Sequence, residues 1–205
     1  FTSLLVKNIQ RDTLTKLGTA VNVLGYALDT KKAETLSVAE QLAGSQDIIT
    51  ALETKNRDKL VNITETTIPA KKLSTLIITN QSGQVQVRAE DSARWGDSLP
   101  DDPLVKRALF GVNQSTVTIK QEPGAPVLQV VSAAVIYDES RTSIGTVVAG
   151  LDLNNAFVDG IKESTGLQSS IYGGDSLAVT TLLAPDGKTS SLGVKISNSK
   201  IRETV

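Results

Sequence analysis

The chain has 205 residues, 40% of them apolar, with 21 basic and 22 acidic side chains and no His, Cys or Met. This composition excludes an imidazole base, a thiolate or histidine metal site, Ser-His-Asp and Cys-His nucleophiles and any disulfide. A net charge of −1, 3% aromatics and the single Trp95 also fall short of the basic face and stacking rings of a nucleic-acid binder, so no nucleic-acid partner is expected.

No run of 18 or more apolar residues occurs, so neither a membrane span nor a signal peptide is expected within these residues. A start at Phe1 without an initiator Met is expected of a piece of a longer protein. From Thr2 to about Ala43 there is no Pro, and Leu14, Leu17, Val21, Leu24 and Leu28 recur in steps of three and four on one stripe of a helix. Continued through Leu36 and Leu42, that helix would be roughly 60 Å long. It must therefore lie along more than one module or against a partner. Gly18 and Gly25 share another face, where they either permit close backbone approach or are tolerated weak points.

Gly44 to Asp47 ends this helix, and Ser45 or Asp47 is expected to cap a second one running to about Asn62, with Pro69 closing the helical region. The period then changes. Leu73 to Thr79 reads as a strand, Asn80 to Gly83 as a turn, and Gln84 to Arg88 as an alternating second strand with Gln84, Gln86 and Arg88 on its wet face. A polar loop with Arg94, Trp95, Gly96 and Asp97 follows. Asp102 before Pro103 starts a short helix that Gly111 ends. Ser115 to Lys120, Val127 to Tyr137 and Gly145 to Leu153 are three more strands. The nearly continuous apolar ones belong at the centre of a sheet and the alternating ones at its edges. The pattern is α+β, a long N-terminal helix with a PAS-like five-stranded antiparallel sheet whose first and last strands are neighbours.

Beyond Leu153 the pattern restarts. Asn154 or Asn155 caps a helix to about Glu163, Gly166 stops it, and a hairpin pairs Ser169 to Tyr172 with Leu177 to Thr181 across Gly173-Gly174-Asp175. A helix-like segment begins at Ser199. The expected organisation is a helix over 1–43, a complete PAS-like module over 44–157 and the incomplete start of a second over 158–205.

The sequence resembles the Cache family of PAS-like extracytoplasmic sensor domains. The likeness is carried by Gly83-Gln84-Val85, Arg88-Ala89, Gly96-Asp97-Ser98-Leu99, Ala108-Leu109-Phe110-Gly111, Ser132 to Asp138 and Gly145 to Gly150 in the first module. Thr165-Gly166-Leu167, Ile171 to Asp175, Val179-Thr180-Thr181 and Asp186-Gly187-Lys188 carry it in the second. The resemblance implies a double-Cache ectodomain on the periplasmic side of an inner-membrane receptor. Such a receptor passes ligand occupancy to a chemotaxis signalling domain, a histidine kinase or a cyclic-dinucleotide enzyme. Ala134 stands where the family usually has Pro, and the Arg-x-Trp-Tyr cluster of amino-acid-recognising members is absent, with Arg94-Trp95-Gly96 at best a fragment of it.

Arg94 and Trp95 lie on the loop that borders the ligand pocket in Cache modules. Arg94 can grip a carboxylate with two parallel hydrogen bonds, and Trp95 can wall an apolar cleft or stack on a guanidinium. Alternatively Trp95 plugs a gap beneath the loop and Arg94 is solvated. Arg88 faces either ligand or solvent. Asp97 accepts a ligand amine or hydroxyl, or caps its own turn. Ser132, in an apolar strand, needs a ligand or a backbone partner. The acidic pairs Asp101-Asp102 and Asp138-Glu139 stand at a helix start and a turn, where capping explains them without metal or acid-base chemistry. The expectation is a non-catalytic sensor without cofactor or metal, binding a small organic molecule or anion such as an organic acid, and homodimeric through the N-terminal helix. The alternative is a structural or protein-interaction ectodomain with a closed pocket.

Overall fold

The structure, a computed structural model, describes residues 2–195, with side chains from residue 14 onward. The chain divides into two compact units, one of Lys31–Thr118 and Gln129–Asp152, the other of Phe1–Thr30, Ile119–Leu128 and the residues from Leu153 on. The first element, α1 (Thr2–Ala43), contributes to both.

In the larger unit the second helix expected from Ser45 to Asn62 is two helices, α2 (Gln46–Glu53) and α3 (Arg57–Lys71). The break has a local cause. Lys55 adopts a left-handed conformation at φ 53°, and the Asn56 side chain caps the new helix by accepting the Lys59 amide at 3.0 Å. Ser45 occupies the N-cap of α2 but its hydroxyl makes no capping bond, and Asp47 instead pairs with Lys59 at 2.7 Å. Pro69 lies inside the last turn of α3 rather than ending it. Its ring removes the amide that a regular helix would offer to the carbonyl of Glu65, an exposed residue.

The five-stranded sheet has the order β2-β1-β5-β4-β3, with β1 (Thr75–Asn80), β2 (Val85–Arg88), β3 (Gln114–Lys120), β4 (Val127–Tyr137) and β5 (Ser143–Leu153). The first and last strands are neighbours as expected, antiparallel with Leu76 opposite Ala149 and Ile78 opposite Val147. Alternation splits their side chains between two faces. Leu76, Ile78, Ala134, Ile136, Val147 and Ala149 meet Ala39 and Leu42 of α1, Ile48 and Ala51 of α2 and Leu60 of α3. On the opposite face Ile77, Val131, Ala133 and Val148 meet Leu104, Val105 and Ala108 of α4 (Pro103–Leu109). Each fully buried Leu, Ile or Val contributes about 1.5–3 kcal/mol, so strands covered on both sides read as continuous apolar runs. Asp102 caps α4 as expected, accepting the amides of Leu104 at 2.9 Å and Val105 at 3.1 Å.

The smaller unit holds the earlier part of α1, α5 (Asn155–Thr165) and a hairpin of β6 (Ser170–Gly173) and β7 (Ser176–Thr180). Asn154 caps α5 through the Ala156 amide at 3.0 Å, while Asn155 ties the helix to the hairpin by accepting the Thr180 amide at 3.0 Å. Val158, Ile161, Leu177 and Val179 are buried, whereas Leu14, Leu17 and Val21 of α1 are exposed. The helical segment expected from Ser199 lies outside the described residues. No described helix is long and apolar enough to cross a membrane.

A β-carbon on Gly145 would lie 2.1 Å from the Thr79 carbonyl oxygen and 3.3 Å from Leu52, whereas one on Gly18 meets nothing within 4 Å. Gly145→Ala is expected to lower stability by about 1–3 kcal/mol by overpacking the centre of the sheet. Gly18→Ala, in an open helical position, is expected to raise it by about 0.5–1 kcal/mol. Thermal or urea denaturation checks the opposite signs.

Candidate functional site

The site forms where the sheet edge meets the loop between β2 and α4. A bulge places both Val85 and Val87 against consecutive residues of β1, Thr79 and Ile78, so Gln86 is the extra residue. Val85 and Val87 are both buried with Gln86 half-buried between them, as the expected alternation has it, and the departure is Arg88, which is buried as well. The loop then returns along the outer edge of β2: the Val85 amide donates to the Asp97 carbonyl at 2.8 Å, the Gly96 amide to Val85 at 2.9 Å and the Leu99 amide to Gly83 at 2.8 Å. The edge is thus paired rather than open. Gly96 makes the return possible, since it sits at φ 86°, which a side chain would disfavour.

Two arginines from different elements pin this loop. Arg88 is not on a wet face; its side chain is only 8% exposed and forms a two-pronged pair with Asp97, Nη1 to Oδ1 at 2.5 Å and Nη2 to Oδ2 at 2.8 Å. Nη1 also donates to the Arg94 carbonyl at 3.4 Å. Asp97 does not stand unpaired: Arg88 is its main partner, and its own backbone amide adds a weaker hydrogen bond to the carboxylate. The hydrogen bond from Arg88, reinforced by its charge, holds the Asp97 carboxyl below the usual carboxylate range. In return the hydrogen bond to Asp97 raises the Arg88 pKa against the opposing effect of burial, with Glu90 and Asp91 adding attraction.

The second arginine, Arg57, comes from the first turn of α3. Its Nη2 donates to the Ser92 carbonyl, and its guanidinium carbon lies 4.7 Å from the centre of the Trp95 ring. Trp95 does stack on a guanidinium, but that of Arg57 rather than Arg94. No local signal near Arg57 announces this partnership, because sequence spacing says nothing about a contact between the start of one helix and a distant loop. Trp95 does not plug a gap either: it is 55% exposed. It borders a cleft of about 600 Å³ whose walls include Leu52, Lys55, Arg57, Gln84, Gln86 and Ile144. That volume falls within the usual range for small-molecule sites.

The expected residues thus divide. Arg88, Asp97 and the backbone of Arg94 form one cluster that shapes the loop, the Arg94 side chain is exposed, and Trp95 faces the cleft. Ser132 belongs to neither group. It is fully buried in β4 and its hydroxyl bonds to that of Ser115 on β3 at 2.9 Å. Among the described residues no cluster of acidic side chains is arranged to hold a metal ion.

The sequence model of the dCache_3 family, a double sensory domain of two-component sensor kinases, matches residues 12–200. No curated protein sequence matches significantly. Among solved structures, the sensor domain of the Vibrio cholerae histidine kinase DctB superposes with a TM-score of 0.64 at 9% identity, over 86% of this chain and 73% of that one. The periplasmic domain of Vibrio cholerae LuxQ gives 0.61 at 13% identity, over 82% and 79%. The sensory domain of the Campylobacter jejuni chemoreceptor Tlp3, with isoleucine bound, gives 0.54 at 12% identity, over 85% and 73%. At these identities the superpositions establish a shared fold.

The Arg88 and Asp97 pair should respond unequally to loss of either partner. Asp97→Asn leaves a buried guanidinium without its counterion and is expected to cost about 2–3 kcal/mol. Arg88→Met keeps the packing and leaves a carboxylate that is already 42% exposed, so about 1 kcal/mol or less is expected. Because the folded Asp97 pKa is depressed, its contribution is complete above the unfolded value of about 4 and is lost as pH falls through the lower folded value. Solvent screening keeps that contribution modest. Melting curves from pH 7 to pH 2 should show wild type losing more stability than Asp97→Asn.

Proposed function

This chain belongs to the dCache_3 family, the double sensory domain of two-component sensor kinases, and we propose that it binds a small organic molecule, anionic in part, in the cleft beside Trp95. In this reading residues 44–157 are the membrane-distal sensory module of a receptor anchored in the inner membrane. Residues 158–205 open a second module, and residues 1–43 are the helix that carries the signal. The periplasmic setting of the LuxQ domain and the isoleucine bound to the Tlp3 domain are precedents on the same fold. The chain itself is a non-catalytic binding module.

The observation that carries the assignment is the exposed Trp95 ring on a cleft of about 600 Å³, backed on one side by the Arg57 guanidinium. An indole face beside polar and charged side chains gives the cleft a flat apolar surface together with groups that can orient a ligand. Of the residues expected to touch ligand, Trp95 is the direct one in this proposal. Arg88, Arg94 and Asp97 act by fixing the loop that presents it, and Ser132 has no part. Since α2 carries Leu52 and Glu53 of the cleft, α3 carries Arg57, and both pack with α1 on the same sheet face, occupancy can bias two positions of α1. The homodimer is proposed through the exposed stripe of Leu14, Leu17 and Val21.

Because Trp95 is the only Trp, emission excited at about 295 nm reports this site alone. A panel of organic acids, sugars and amino acids should contain a compound that shifts or quenches Trp95 emission saturably and raises the melting temperature. Stabilisation by a ligand that leaves the emission unchanged would move the site elsewhere. For the dimer, Leu17→Glu with Val21→Glu should lower the sedimentation mass to that of a monomer; an unchanged mass refutes this interface.

A further inference from the structure

Resting on the assignment of the Trp95 cleft as the ligand site, we infer that its ligand is a hydroxylated carboxylate of the sugar-acid class. The cleft is mixed: Leu52, Ile144 and the Trp95 ring line it together with the side chains of Asn80, Gln81, Gln84 and Gln86 and the Ser82 hydroxyl. Asn80, Gln84 and Gln86 already hydrogen-bond within the wall, Asn80 Nδ2 to Gln84 Oε1 at 3.3 Å, Gln84 Nε2 to the Gly96 carbonyl at 3.1 Å and Gln86 Nε2 to the Gln84 carbonyl at 3.1 Å. An aliphatic ligand would therefore strip water chiefly from the Gln81 amide and the Gln86 Oε1, which is costly. An amide both donates and accepts, and so does a hydroxyl. A ring bearing several hydroxyls is the small-molecule surface that matches an amide-rich wall.

Trp95 adds the second element of the match. One of its faces is occupied by Arg57, and the ring remains 55% exposed. The electron-rich face of an indole attracts weakly positive C–H groups. The C–H face of a sugar ring is flat enough to lie on it while the hydroxyls at the ring edge reach the amides.

Charge supplies the third. Lys55, Arg57 and Glu53 are the ionisable side chains on the cleft wall. Arg57 is committed to the Ser92 carbonyl and to Trp95. Among the described residues neither the Lys55 ammonium nor the Glu53 carboxylate has a side-chain partner. Lys55 is therefore the group available to a ligand carboxylate, and Glu53 can accept from a hydroxyl. The left-handed backbone at Lys55, φ 53°, fixes where its side chain leaves the α2–α3 junction.

The test titrates the purified chain with galacturonate, galactose, succinate and isoleucine, reading Trp95 emission and melting temperature together. Galacturonate should bind saturably and at least tenfold more tightly than galactose or succinate, each of which supplies half of the match. Lys55→Asn, which keeps the left-handed backbone, should weaken galacturonate about tenfold and leave galactose unchanged. Gln86→Leu should weaken both sugars. If succinate or isoleucine alters Trp95 emission and galacturonate does not, or if Lys55→Asn binds galacturonate as well as wild type, the sugar-acid inference is wrong and the cleft remains the site. If a probe raises the melting temperature without touching Trp95 emission, or if none of the four binds, the sugar-acid inference is overturned, the former outcome taking the cleft assignment with it.

Discussion

The loop between β2 and α4 depends on one interaction, the two-pronged pair of Arg88 with Asp97. Arg88 sits at the last position of an edge strand, where a charged side chain would ordinarily turn to water. Here it is buried, and burial of a guanidinium is tolerated only because a carboxylate meets both of its Nη atoms. That requirement fixes Asp97, and with it the adjacent Trp95-Gly96 turn and the backbone bonds that close the sheet edge. Trp95 is consequently held outward over the Arg57 guanidinium rather than folding into the core.

How much of this could be read from the residues depends on how local each cause is. The five strands, their order and the central place of β4 and β5 follow from the contrast between continuous and alternating apolar runs, a direct imprint of burial on two faces or one. Asp102 before Pro103, Asn154 before α5, and Gly111 and Gly166 after their helices were equally legible, because a cap acts within three or four residues. The division of α2 from α3 was not. Both segments are helical by composition, and only the left-handed turn at Lys55 with the Asn56 cap separates them. The bulge at Gln86 was hidden for a related reason: Val85-Gln86-Val87 alternates in sequence whether or not a residue is inserted in the pairing with β1.

The candidate site shows the same boundary between local and distant causes. Trp95 and Arg94 were identifiable as loop residues, and Asp97 as a residue with a polar task. The partners that decide what each does, Arg57 for Trp95 and Arg88 for Asp97, are chosen by tertiary packing. Ser132 illustrates the opposite outcome. A hydroxyl in an apolar strand does need a partner, and the neighbouring strand supplies it in Ser115. Composition retains its force throughout: a chain of this family without His or Cys has arginine, lysine, amides and one indole to offer at the cleft.

The claim on which this account turns is that ligand occupies the cleft between Trp95, the α2–α3 junction and the β1–β2 turn. A crystal structure of the chain soaked with a ligand that raises its melting temperature tests it most directly. The account predicts ligand density on the open face of Trp95 with a carboxylate at Lys55 Nζ. Density against the apolar groove of Leu17, Leu24, Val158 and Ile161, with the Trp95 cleft unaltered, would contradict it.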